Sequence, residues 1–181
     1  PYCETVEEVR EVVGAVRWRN LKGEYLRRAM DTGEMPSDAT RAYLQDRNRN
    51  NICIIGIESV PAIENLPDIL EVEGVDAVFI GPNDLSTSLG IPDQLDHPDY
   101  EAALRKIIGL CLERNVAVLI HHQTVALTEK WLREGARFVL YSSDARTVHN
   151  GFRQDFSSIK AVGADVGGGS AESVGESQEV I

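Results

Sequence analysis

Residues 51–80, NICIIGIESVPAIENLPDILEVEGVDAVFI, read as one strand–helix–strand unit. Residues 51–57 are a short continuous apolar run, the pattern of a strand buried on both faces. Residues 59–70 change period and read as a helix. Ser59 is placed to cap it, and Pro61 falls in its first turn, where a missing N–H costs nothing. Gly74 ends that region, and residues 75–80 repeat the buried-strand pattern until Gly81-Pro82 closes it. Two such strands joined by a helix are parallel neighbours, because parallel strands need a crossover.

The same alternation extends outward. Residues 99–114 read as an amphipathic helix with Leu104, Ile107, Ile108, Cys111 and Leu112 on one side. An apolar strand follows at 116–120, a helix at 124–135, a fourth apolar strand at 137–141 and a last helix at 145–162. Upstream, Val6, Val9, Val12, Val13 and Val16 place a helix over 5–18, with Thr5 and Glu8 in a capping-box pattern. Residues 22–49 are a polar excursion with short helices expected at 23–30 and 37–46, the second capped by Ser37. The fold class is therefore α/β with parallel strands. Two architectures fit: an open parallel sheet, or part of a (β/α)₈ barrel, which four strands are too few to close. The domain is expected over 1–162, and the Gly-, Ser- and Glu-rich residues 163–181 as a disordered tail.

Composition sets outer limits. The 181 residues are 43% hydrophobic and 26% charged, as in ordinary soluble proteins. Eighteen basic against 29 acidic residues give a net charge of −11, and no basic run offsets it, so nucleic-acid binding is not expected. No apolar run approaches the roughly 18–20 residues that span a bilayer. The first residues lack the basic and apolar regions of a signal peptide. Cys3, Cys53 and Cys111 are far apart and odd in number. They are expected as small apolar core residues in a reducing, cytoplasmic setting.

In parallel α/β folds, chemistry collects at the C-terminal strand ends. Glu58 and Asp84 follow two successive strands. If those strands are adjacent they lie about 4.8 Å apart, where two carboxylates repel unless a cation or a proton intervenes. A hard divalent cation with oxygen ligands fits; the alternative is that each carboxylate caps the following helix. Gly81-Pro82-Asn83-Asp84 is the second candidate: the free amides of Asn83 and Asp84 form a short nest for a carboxylate, or an ordinary strand-to-helix turn. His121 and His122 are adjacent on a strand and face opposite ways, so one is expected in the wall and one in solvent. His97 reads as a helix-entry residue, His149 as structural, and Trp18 and Trp131 as core residues. None of the four lysines, Lys22, Lys106, Lys130 and Lys160, lies at a strand end, which disfavours imine chemistry. Neither common nucleotide-binding glycine motif is present.

Residues 57–59, 62–70, 74–86 and His97-Pro98 closely resemble the HpcH/HpaI aldolase family, class II pyruvate aldolases related to the citrate lyase β-subunit. Residues 1–8 are similar to the family's segment after its fourth strand, and residues 22–50 match poorly. The resemblance implies the C-terminal part of a (β/α)₈ barrel acting on small 2-oxo acids and aldehydes. It implies a divalent cation, Mg²⁺ first with Mn²⁺ or Co²⁺ as alternatives, held by Glu58 and Asp84. The amides of Asn83 and Asp84, in the Gly81-Pro82 turn, are then expected to bind the carboxylate of pyruvate, and the metal to stabilise its enolate as a Lewis acid. Gly56 stands where the family often carries a substrate-contacting glutamine. The family's active-site histidine and substrate-binding arginine are expected upstream of Pro1, so the catalytic base is unassigned and His121 and His122 do not inherit it. A homo-oligomer is the expected assembly. The other readings are a CoA-ester lyase of the citrate lyase type, which needs basic groups at the rim; a non-catalytic remnant that only self-associates; and an open flavodoxin-like binding module.

Overall fold

The computed structural model describes residues 1–167. Its elements are, in order, α1 (Val6–Arg17), α2 (Gly23–Thr32), α3 (Asp38–Asn48), β1 (Ile54–Gly56), α4 (Val60–Ile69), β2 (Ala77–Ile80), α5 (Pro82–Ser88), α6 (Pro98–Glu113), β3 (Ala117–His122), α7 (Val125–Arg133), β4 (Phe138–Tyr141) and α8 (Asp144–Gly167). The chain divides into two units, one ending at Tyr141 and one beginning at Ser142. The described part of the second unit, residues 142–167, contains α8, which runs to Gly167 rather than ending at Val162. The remainder of the tail expected over 163–181 lies outside the described residues.

Local chemistry starts the helices. Thr5 and Glu8 form the full capping box on α1, and Ser37, Ser59 and Thr124 each accept an N–H at the starts of α3, α4 and α7. His97 caps α6 through Nδ1, which accepts from the Asp99 amide at 3.1 Å, so it is an entry residue as its sequence setting implies. Gly74 and Gly135 hold φ of +105° and +110°, the left-handed region open to glycine, where the chain turns from helix to strand.

The four strands are parallel and ordered β1-β2-β3-β4, with no reversal. A doubly wound sheet reverses its order at a switch point, so this winding is that of a (β/α)₈ barrel arc. One face carries Cys53, Ile55, Ile57, Val78, Ile80, Val118 and Ile120 into the main core, against α1, α4, α6 and Trp131 of α7. Trp18 packs on a smaller core of Leu21, Ala29 and Leu44 within the α2–α3 excursion. All three cysteines are buried and free.

One strand expectation is corrected. Residues 51–57 are not buried on both faces: Cys53, Ile55 and Ile57 are covered, while Ile52 and Ile54 are 69% and 37% exposed. The helices cover only one side, and within this unit nothing covers the other. Residues 138–141 are apolar yet each is 38–54% exposed; β4 is the last element of its unit, and no helix of that unit follows it.

At the N-terminal ends of the strands, Arg17 is a clamp. Its guanidinium donates to Asn51 O at 2.7 Å, Gly74 O at 3.1 Å and Asp76 Oδ2 at 2.6 Å. Asp76 Oδ2 also accepts from the Cys53 amide at 2.6 Å. This network ties α1 to the starts of β1 and β2, opposite the rim where the candidate residues gather.

Candidate active site

The register assembles the rim. Gly56 pairs with Phe79, and the Ile57 amide donates to Phe79 O at 2.9 Å, which sets Glu58 beside Gly81. Ile80 pairs with Ile120 and His121 with Leu140. Neighbours in register share a face. Since Ile57, Ile80 and Ile120 enter the core, Glu58, Gly81, His121 and Leu140 form one layer on the open face.

The Glu58 side chain lies over two glycines. A Cβ at Gly81 would stand 2.7 Å from Glu58 Cδ and Oε1, and a Cβ at Gly56 would stand 3.0 Å from Oε1. No larger residue fits under this carboxylate without displacing it. Burial, and then the negative charge of Asp84, push the Glu58 pKa up. Among the described residues neither carboxylate has a hydrogen-bond or ion-pair partner.

Capping does not occupy them. The α4 cap is Ser59 Oγ, which accepts from Ala62 N at 3.2 Å, and Val60 N donates to Ser88 Oγ at 3.0 Å. The α5 cap residue is Gly81, with no side-chain bond. Both carboxylates therefore stand where the helix-cap alternative does not apply.

Residues 81–86 are more than a turn. Pro82 opens α5, and the first intrahelical bond is Leu85 N to Gly81 O at 3.1 Å. The amides of Asn83 and Asp84 lie in the first turn, ahead of that bond, where a helix leaves its N–H groups without internal acceptors. Ser86 and Thr87 hydroxyls donate to Asn83 O at 2.9 and 2.8 Å and hold the turn in shape.

A second cluster adjoins Glu58 and has no counterpart in the sequence reading. Cys3 N donates to Gly56 O at 3.1 Å and Gly56 N to Pro1 O at 2.7 Å, so Tyr2 runs parallel beside β1. The Tyr2 hydroxyl bonds to the Glu4 carboxylate and lies 3.1 Å from Ser59 Oγ, which donates to Glu4 Oε1 at 2.5 Å. These bonds, Ser59 first, hold the Glu4 carboxyl below its usual range. The only available signals were Ser59 next to Glu58 and a stretch too short to show strand period.

The two histidines separate as a strand requires. His122 is 2% exposed, faces the helices and has no partner for Nδ1. Burial, helped by His121, lowers its pKa to about 4, so it is neutral. His121 is half-buried and stands in the open-face layer with Glu58.

The donor set fits a divalent cation. It consists of two carboxylates, all-oxygen, mutually repelling and otherwise unpartnered, which suits a hard ion whose other positions are filled by water or ligand. Among the described residues no third His, Cys, Asp or Glu joins them.

A model of the HpcH/HpaI aldolase/citrate lyase family matches residues 1–166. The chain belongs to this family. A relative, 2-keto-3-deoxy-L-rhamnonate aldolase of Klebsiella pneumoniae, is 37% identical over 148 residues, 80% of this chain and 54% of that protein. The chain thus spans about half the length of the curated relatives it matches. A crystal structure of an HpcH/HpaI aldolase/citrate lyase family protein from Burkholderia cenocepacia superposes with a TM-score of 0.73 at 27% identity, over 88% of this chain and 63% of that one. The HpcH/HpaI aldolase of Desulfitobacterium hafniense gives 0.71 at 28% identity, over 88% and 62%. These neighbours are members of the (β/α)₈-barrel family, and the four parallel strands agree with that fold. Among the described residues no helix is long and apolar enough to cross a membrane.

Proposed function

We propose that this chain carries the metal-binding half of a class II aldolase, a carbon–carbon lyase acting on small 2-oxo acids and aldehydes. The observation that carries the reading is the Glu58–Asp84 pair: Glu58 lies over Gly56 and Gly81, Asp84 is near enough to raise its pKa, and neither has another partner among the described residues. Glu58 and Asp84 hold a divalent cation, Mg²⁺ first, with Mn²⁺ or Co²⁺ able to substitute. The bound cation supplies Lewis acidity that favours loss of a proton from the carbon beside the keto group.

The chain's own residues do the rest of the positioning. The Asn83 and Asp84 amides, at the N-terminus of α5, receive the 2-oxo acid's carboxylate, with Gly81 and Pro82 shaping the approach. Gly56 keeps the space below Glu58 open. No base is assigned among the described residues. The rim layer of Glu58, Gly81, His121 and Leu140 holds no Lys or Arg to clasp phosphates, which counts against a CoA ester. Membership of the HpcH/HpaI family, and relatives named as aldolases, support the reading. A homo-oligomer in the cytoplasm is the proposed setting.

The test is calorimetric titration of the intact protein with Mn²⁺, paired with release of pyruvate from a 4-hydroxy-2-oxo acid. Asp84→Asn is expected to weaken Mn²⁺ binding at least tenfold and to abolish release. Release that survives in this variant, or in excess chelator, contradicts the reading.

A further inference from the structure

Among the described residues the Glu58 side chain makes no hydrogen bond or ion pair, so its aim is set by the backbone that carries it. That backbone is fastened on both sides to residues 1–5. Before Glu58, Gly56 N donates to Pro1 O at 2.7 Å, and Gly56 O accepts from Cys3 N at 3.1 Å. After it, Ser59 Oγ donates to Glu4 Oε1 at 2.5 Å. The Tyr2 hydroxyl donates to the same Glu4 oxygen. Glu4 is anchored twice more through its main chain. Its N–H donates to Glu8 Oε2 at 2.8 Å, and its carbonyl accepts from Asn65 Nδ2 at 2.9 Å. Glu4 therefore keeps its place without Ser59, and its carboxylate is a fixed post for the residue after Glu58. Ser59 Oγ also accepts from Ala62 N at 3.2 Å, so the cap of α4 does not depend on Glu4.

We infer that Glu4 is a positioning residue for the cation site: acting through Ser59, it fixes the backbone at Glu58 so that the carboxylate is aimed before a cation binds. This rests on the proposed metal role of Glu58 and Asp84 and adds to it the residue that pre-organises one of the two ligands. With only two protein carboxylates, affinity depends on how little each must be reordered on binding. Glu4 is not a third ligand, since among the described residues no group of three acids, histidines or cysteines could hold a metal ion. Its bond to Ser59 joins a hydroxyl to a carboxylate and is charge-assisted, stronger than a neutral bond. Both hydroxyls donate to one oxygen, Oε1. The amide oxygen of glutamine accepts the same two bonds at the same reach, whereas aspartate keeps the charge and is one methylene shorter.

The experiment is calorimetric titration of the intact protein with Mn²⁺, with urea unfolding of the same variants alongside. Glu4→Ala is expected to weaken Mn²⁺ binding about tenfold, the low end for groups that orient a metal ligand. Glu4→Gln is expected to bind within about threefold of the parent, and Glu4→Asp at least about fivefold more weakly than the parent. Asp76→Ala, at the opposite end of the strands, is the control: it is expected to lose stability and keep its affinity, so general loosening of the fold does not mimic the effect. Parent-like affinity in Glu4→Ala overturns the assignment. So does a glutamine variant as weak as the alanine one, because charge rather than position would then be at work. Should the alanine variant not fold, aspartate weaker than glutamine supports the assignment and equal affinities overturn it. Glu58→Gln separates the two claims. If the parent binds Mn²⁺ and Glu58→Gln does not, an unmoved affinity in Glu4→Ala sinks only the role of Glu4. If the parent does not bind, or Glu58→Gln binds equally well, the metal reading fails and this one with it.

Discussion

Glu58 rests on Gly81: a methyl group added to that glycine would meet Glu58 Cδ and Oε1 at 2.7 Å. The backbone at Gly81 has φ −82° and ψ 110°, which any residue adopts, so alanine costs nothing there through strain. The cost falls on the carboxylate above. Gly81→Ala is expected to fold normally by circular dichroism and to lose at least tenfold in Mn²⁺ affinity by calorimetry. Unchanged affinity would show that Glu58 is not held by this contact.

Glu58 makes a linked prediction about pH. Its folded pKa is raised above the usual 4.5 by burial and by Asp84, so the folded protein favours the neutral acid. The stabilisation of the acid form is complete at low pH and is lost as pH rises through the folded pKa. At pH 7, without metal, Glu58→Gln is expected to have a Tm equal to or above the parent's, although it no longer binds Mn²⁺. A lower Tm in metal-free buffer would mean that the carboxylate stabilises the fold rather than waiting for a cation.

Asp76 does structural work at the opposite end of the strands. Its Oδ2 accepts from Cys53 N and Arg17 Nη2, each at 2.6 Å. Asp76→Ala orphans the Cys53 amide and breaks the clamp. Urea unfolding is expected to show a loss of about 1–3 kcal/mol. The Mn²⁺ affinity of the folded fraction should not move.

His122 carries an acid-sensitive penalty. Its pKa falls from 6.5 to about 4 on folding, chiefly through burial. The unfolded chain therefore binds more protons between those values, and stability falls as pH drops from about 6.5 to 4. The full effect is up to about 3 kcal/mol. His122→Phe removes the titrating group and the orphaned Nδ1, and is expected to show a shallower loss of urea stability over that window. Parallel pH profiles for parent and variant would contradict this account.

The sequence was informative where a local rule decides the outcome. Thr5 with Glu8, Ser59 and Thr124 mark helix starts by a side chain that satisfies a free N–H, and each does so in the structure. The Glu58 and Asp84 positions were legible because apolar strands run straight into them. What covers a strand was not legible: Ile54 and Ile55 are chemically alike, yet one is exposed and one buried because helices lie on a single side. α5 was hidden because Gly81-Pro82 serves a turn and a helix start equally well. The roles of Gly56 and Gly81 were hidden too, since a glycine's reason for being small lies in whichever side chain crosses it, here Glu58 from a neighbouring position.

The central claim is that Glu58 and Asp84 hold a cation that labilises a proton on a 2-oxo acid. It is tested most directly by exchange of solvent deuterium into the methyl group of pyruvate, followed by NMR. The conditions are Mg²⁺ or Mn²⁺, then excess chelator, in the parent and in Glu58→Gln. The account predicts exchange in the parent with metal, and at least a hundredfold less with chelator or in Glu58→Gln. Exchange that persists in either condition would contradict it.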